Sequence, residues 1–217
     1  PSTNSGHLSI HGWEISLGWR DQIKDFSYSV RFNISDAKNK VVDRVGSNLI
    51  KLGNNETPTG YPLNSYFGYE FDGIIQNEQE LEAYKSRFSE GGIPGDLSVG
   101  DAMYKDLDGD GKLSVLGDGK EGSGDVKYLG DKNPRYNFGF NLSMALEGFD
   151  LSAFIQGVGR RTMFLEGESR CPMPEAWYQS AEYWYGKTWT PERTDAQYPA
   201  ITLKDKRNYN YYVSTNT

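Results

Sequence analysis

Residues 106–114 read Asp-Leu-Asp-Gly-Asp-Gly-Lys-Leu-Ser, with carboxylates at alternate positions. Asp106, Asp108 and Asp110 repel one another unless a hard cation sits between them. Gly111 permits a sharp turn, Lys112 offers a backbone carbonyl, and Ser114 offers a ligand directly or through water. This is the order of the first part of a calcium loop. The closing acid is missing: Gly117 stands where a bidentate carboxylate belongs, and Asp118 follows one residue late. The expectation is a structural Ca²⁺ site from Asp106, Asp108, Asp110, Lys112, Ser114 and Asp118. The other reading is a solvated Asp/Gly turn. Mg²⁺ fits less well, because its octahedral demand is stricter.

A second group is aromatic. Trp177, Tyr178, Tyr183, Trp184, Tyr185 and Trp189 crowd into one short stretch, and Tyr209, Tyr211 and Tyr212 follow. Flat rings stack on sugar rings and Tyr hydroxyls add hydrogen bonds, so these residues are candidates for contact with a glycan. Contact with a partner protein, where Tyr and Trp concentrate, and packing of the segment on itself are the two other readings.

No other constellation suggests catalysis, and the chain is read as a non-enzyme. Cys171 is the single cysteine, so no intrachain disulfide forms. As a nucleophile it needs a base, and the two histidines, His7 and His11, both lie near the N-terminus. Their spacing suits a zinc pair only on a helix, and an alternating pattern begins there. Gly119, Gly122 and Gly124 form no phosphate cradle, since no strand feeds them and no helix follows.

These groups are carried by a 217-residue chain with 23 basic and 30 acidic residues, a net charge of −7. The acidic balance and the lack of a Lys/Arg stripe argue against nucleic acid. The mean hydropathy of −0.69 rules out a membrane-spanning helix. A transmembrane β-strand is not excluded, because half its residues are polar. The first residues carry no signal peptide, and both ends read as cut, so a piece of a longer chain is expected.

The elements that position the candidates are strands. Residues 8–19 alternate, with Trp13, Ile15, Leu17 and Trp19 on one face. Residues 20–25 are polar, as a hairpin connection. Phe26, Tyr28, Val30, Phe32 and Ile34 then alternate with polar neighbours over 26–36. Alternation returns over 135–146 and, more weakly, over 150–158. The segments 37–134 and 159–217 read as long loops. Within the first, a minor helix is predicted over 77–89, with Asn77 as cap and Glu80 at the capping-box position. Short turns at one end and long loops at the other suit an outer-membrane β-barrel. A half-buried antiparallel sheet gives the same alternation.

Several strings then resemble the SusC/RagA family of TonB-dependent outer-membrane transporters. They include Gly60-Tyr61-Pro62-Leu63, Pro94-Gly95-Asp96-Leu97, 105–112, Leu129-Gly130-Asp131-Lys132-Asn133-Pro134-Arg135-Tyr136, and above all Gly148-Phe149-Asp150-Leu151-Ser152-Ala153-Phe154-Ile155-Gln156-Gly157-Val158-Gly159. Their order and spacing run in register over nearly the whole chain. The resemblance implies an all-β fold, an antiparallel four-strand section of a 22-stranded transmembrane barrel with two external loops. It implies TonB-dependent uptake of oligosaccharide or peptide through the outer membrane of a Gram-negative, Bacteroidota-like bacterium. A SusD-like surface lipoprotein is the implied lid, and TonB acts through a plug outside these residues. Ser27, Ser29, Arg31, Asn33, Asn137, Asn141, Ser143 and Gln156 then face the lumen. Phe26, Phe32, Phe138, Phe140, Leu142 and Leu146 face outer-membrane lipid. The rival expectation is a soluble, secreted, calcium-stabilised glycan-binding module, which needs a second apolar layer over the Phe26–Ile34 face.

Overall fold

The computed structural model describes residues 6–44, 53–56, 58–116, 124–173, 179–202, 207–212 and 214–215. The elements in chain order are β1 (Gly6–Ile23), β2 (Phe26–Arg44), β3 (Gly53–Glu56), β4 (Ser65–Tyr69), β5 (Phe71–Ile74), α1 (Glu78–Lys85), β6 (Ala102–Tyr104), β7 (Val126–Asp131), β8 (Arg135–Leu146), β9 (Phe149–Arg160) and α2 (Arg207–Asn210). The fold is all-β with short helices, and no helix among the described residues is long and apolar enough to cross a membrane. The chain divides into two compact units: 1–46, 57–64 and 131–162 form the first, and 47–56, 65–130 and 163–217 the second.

The first unit is a four-stranded antiparallel sheet in the order β1-β2-β8-β9. Its strands are longer than the alternation suggests. β1 pairs with β2 down to Ile23 opposite Phe26, so the connection shrinks from 20–25 to Lys24 and Asp25. β2 runs on past 36 to Arg44. Alternation marks only the stretch with one apolar face; backbone pairing continues beyond it, where polar and apolar residues no longer alternate cleanly. The β8–β9 turn has Glu147 at φ 47° and Gly148 at φ 86°. Positive φ at both central residues is the type I′ geometry that matches strand twist.

Register fixes the two faces. Phe26, Tyr28, Val30, Phe32 and Ile34 stand opposite Leu146, Met144, Leu142, Phe140 and Phe138 of β8, and most of their β1 partners are apolar too. Paired residues share a face, so this face is apolar across the strands. Gly157 lies beneath Phe138, where an added Cβ would come 2.5 Å from the ring. Only glycine lets that ring cover the neighbouring strand. At the end away from the turns, Arg135 donates through Nε and Nη2 to both carboxylate oxygens of the buried Asp36.

The second unit gathers most of what reads as loop. It holds the three-stranded sheet β3-β4-β7 and the pair β5-β6. Helix α1 is shorter than 77–89, and Asn77 caps it as expected: Glu80 N–H donates to Asn77 Oδ1 at 2.9 Å. Glu80 Oε2 in turn accepts from Gln76 N–H at 2.6 Å, one residue before the usual capping-box partner. The core comprises Tyr69, Ile75, Leu81, Tyr84, Leu97, Ala102, Met103, Tyr104 and Tyr209. The late segment supplies its centre. Tyr84 Oη and Tyr209 Oη lie 2.7 Å apart, Tyr104 Oη donates to Tyr209 O at 2.9 Å, and Asn210 Oδ1 accepts from Ala102 N–H at 3.1 Å.

Candidate functional site

The Asp-rich turn sits in the second unit, between β6 and β7. Carboxylate oxygens of Asp106, Asp108 and Asp125 all lie within 4.8 Å of one another. Asp106 Oδ1 and Oδ2 accept from Gly109 N–H at 2.6 Å and Gly111 N–H at 2.9 Å. Asp108 Oδ2 accepts from Gly124 N–H at 2.9 Å. Asp125 is fully buried and accepts from Leu107 N–H at 2.6 Å and Ser114 N–H at 2.7 Å. Each of its oxygens uses one lone pair this way and keeps another. Burial holds the Asp125 carboxyl above the usual carboxylate range, against those two hydrogen bonds, and the charges of Asp108 and Asp106 push it further up.

The sequence-derived ligand set is rearranged here. Asp106 and Asp108 meet as expected. Asp110 stands outside the three-carboxylate group, its Oδ1 accepting from Lys112 N–H at 2.7 Å. Ser114 contributes its amide to Asp125, and Asp118 lies outside the described residues. The third carboxylate is Asp125, which the loop spacing does not include. Loop spacing gives no signal for it, since Asp118 and Glu121 come first after Gly117; Asp125 reaches Asp106 and Asp108 through the fold.

The aromatic group separates by burial. Trp184 is buried with Cys171, Tyr198 and Tyr211. Trp189 is buried too: its Nε1–H donates to Gln76 Oε1 at 2.9 Å, and its ring lies against Gly100. Both tryptophans are core of the second unit. Tyr183 is part-exposed, with Lys187 Nζ 3.3 Å from its ring centroid, and Tyr185 is 89% exposed. Trp177 and Tyr178 lie outside the described residues.

An ion cluster joins the small sheets of this unit. Lys105 Nζ and Lys127 Nζ each lie 2.6 Å from an oxygen of Glu70. Hydrogen bonds from Lys105 and then Lys127 lower the Glu70 carboxyl from its ordinary 4.5 to about 2. A depressed folded value stabilises the native state above the unfolded value, and that stabilisation drains away as pH falls through the window from 4.5 to about 2. Thermal melting of the intact protein at descending pH therefore shows a loss in this window that Glu70→Gln reduces; an identical profile in the variant contradicts the assignment.

The first unit offers a surface of a different kind. Its apolar face is open: Leu17 is 63% and Trp19 65% exposed on β1, and Phe149 is 83% exposed on β9. Its opposite face carries Ser16, Ser29, Asn33, Asn141 and Ser143.

No protein-family model matches the chain. Two curated relatives do, both TonB-dependent receptors of the bacterium Formosa agariphila. One is 28% identical over 225 residues, covering 97% of this chain and 20% of the relative. The other is 26% identical over 209 residues, covering 90% of this chain and 19% of the relative. This chain matches a stretch of TonB-dependent receptor. It spans about one fifth of the length of these relatives. Neither relative's name specifies the SusC branch, a glycan or a lipoprotein partner.

Proposed function

We propose that this chain forms barrel wall and extracellular insertions of a SusC-like, TonB-dependent importer in the bacterial outer membrane, with oligosaccharide as the cargo and peptide as the alternative. The observation that carries the reading is the exposed apolar face of the β1-β2-β8-β9 sheet, backed by the similarity to TonB-dependent receptors. In hydrocarbon such a face is solvated by lipid, and a closed barrel satisfies every backbone group. The role is transport, not catalysis. TonB acts through parts of the receptor outside this chain. A SusD-like lipoprotein closes over the second unit, whose exposed Tyr183 and Tyr185 are available to it. The import reading is tested by deleting the gene in the source bacterium. Growth on the oligosaccharide that induces the gene is then lost while growth on its monosaccharide persists; equal growth on both overturns it.

The Asp106–Asp125 turn is proposed to hold a structural Ca²⁺. Its support is the donor set: hard carboxylate oxygens on three residues gathered around one point. A bound ion pins the turn between β6 and β7. Saturation at about a hundred times Kd stabilises the native state by about 2.7 kcal/mol. Melting of the intact protein in Ca²⁺ against EDTA shows this shift, and Asp108→Asn combined with Asp125→Asn removes it. Equal melting in both buffers contradicts the site.

The soluble glycan-binding module is disfavoured by Leu17, Trp19 and Phe149, which lie exposed where such a module needs a second layer.

A further inference from the structure

We propose that the polar face of the four-stranded sheet recognises anionic oligosaccharides, with Arg20 and Arg31 as the anion-binding residues and Phe154 as the sugar-stacking one. This deepens the import reading and rests on it. Arg20 of β1 pairs with Ser29, and Arg31 of β2 pairs with Gly18. The two guanidinium groups therefore stand on one face, on adjacent strands, as diagonal neighbours about 7–8 Å apart at their base. Like charges so placed repel. Both side chains are exposed, and among the described residues neither forms an ion pair.

The acids on the same face form no ion pair with them among the described residues. Glu14 pairs with Ser35, further along β1, and Asp150, which pairs with Ala145 on the far edge strand, borders the same concavity as Arg20 without bonding to it. The neighbours across the ladder are small and neutral: Gly18, Ser29 and, on β8, Asn141. They leave the planar donors of both arginines open. A guanidinium fork matches a carboxylate or sulfate with two parallel hydrogen bonds.

The choice of a sugar as the carrier of that anion comes from Phe154. Arg31 pairs with Asn141, and Asn141 pairs with Phe154. The ring thus shares a rung and a face with Arg31, two strands away, or about 9.6 Å at the usual strand spacing. It is 62% exposed, and other large apolar residues of this face, such as Val158 and Ile10, lie further along their strands. An aromatic there has no role in the lipid-facing pattern, because register sets it on the opposite side. A sugar ring stacked on Phe154 places a neighbouring sugar's acid group within reach of Arg31, and Arg20 takes the next charge.

The test uses the intact protein in detergent and isothermal titration. The probes are oligogalacturonates and sulfated galactan oligosaccharides, their neutral counterparts of equal length, and tetraglutamate. Acidic oligosaccharide binds in preference to its neutral counterpart, and its affinity falls with salt. Arg20→Gln and Arg31→Gln each weaken it about tenfold, as loss of a charged hydrogen bond does, and leave neutral binding unchanged. Phe154→Ala weakens acidic and neutral oligosaccharide alike. Equal affinity for charged and neutral oligosaccharide, preference for tetraglutamate, or arginine variants that melt lower while binding normally would each overturn the proposal. In the last case the arginines pair with acids elsewhere in the protein. An outer-membrane protein that ignores charge defeats this proposal alone; absence from the outer membrane defeats the import reading beneath it.

Discussion

Leu17→Arg abolishes assembly into the outer membrane, whereas Ser16→Arg, one residue away, leaves it nearly intact. The two side chains leave β1 on opposite faces, Leu17 opposite Phe32 and Ser16 opposite Asn33. On a lipid-facing position near the bilayer centre an arginine costs about 2–4 kcal/mol, while a lumen position accepts it. The contrast is diagnostic because Leu17 is already 63% exposed. In a water-soluble protein a charge at so open a site changes stability by only about 0.5 kcal/mol. The measurement is the amount of protein in outer membranes, with the two variants expressed side by side. Equal amounts of both would place the apolar face in water.

Tyr209→Ala unfolds the second unit as a whole. Tyr209 is buried at the meeting point of Tyr84 and Tyr104, its ring 5.2 Å from that of Tyr104. Truncating a large buried ring costs about 3–5 kcal/mol. Tyr209→Phe keeps the ring and loses one hydroxyl contact, at about 1–2 kcal/mol, since Tyr84 Oη still accepts from Tyr104 N–H at 2.9 Å. Hydrogen exchange on the intact protein reads the effect where it is least local. In the alanine variant the amides of β5, α1 and β6 lose protection, although these elements lie far upstream in the chain. Loss confined to residues near 209 would show that the two insertions fold independently.

The sheet was legible because one of its faces is apolar. In β2, Phe26 to Ile34 alternate without a break, and that pattern marks the strand and its apolar face; the register with β8 comes from the structure. The strand ends were not legible, since pairing of Gln22 with Ser27 needs no apolar residue. Helix α1 was visible through its Asn77 cap. The strands of the second unit left no trace. β4, Ser-Tyr-Phe-Gly-Tyr, is buried throughout, so neither face is polar and no alternation exists to find. The same limit applies to the aromatic group. Trp184 and Tyr185 are adjacent, yet one is core and the other solvent-exposed, a difference made by contacts with distant residues such as Tyr198. Asp125 escaped for a related reason: it reaches the Asp106–Asp108 pair through the fold, not through loop spacing.

Whether this sheet is membrane-barrel wall is tested most directly by an immunoblot of fractionated source cells with antibody to the second unit, comparing boiled and unboiled samples. Barrel wall gives an outer-membrane band several times the mass of this chain that changes mobility on boiling, as a closed barrel does. A band at the mass of this chain in the soluble or secreted fraction, unmoved by boiling, would contradict it.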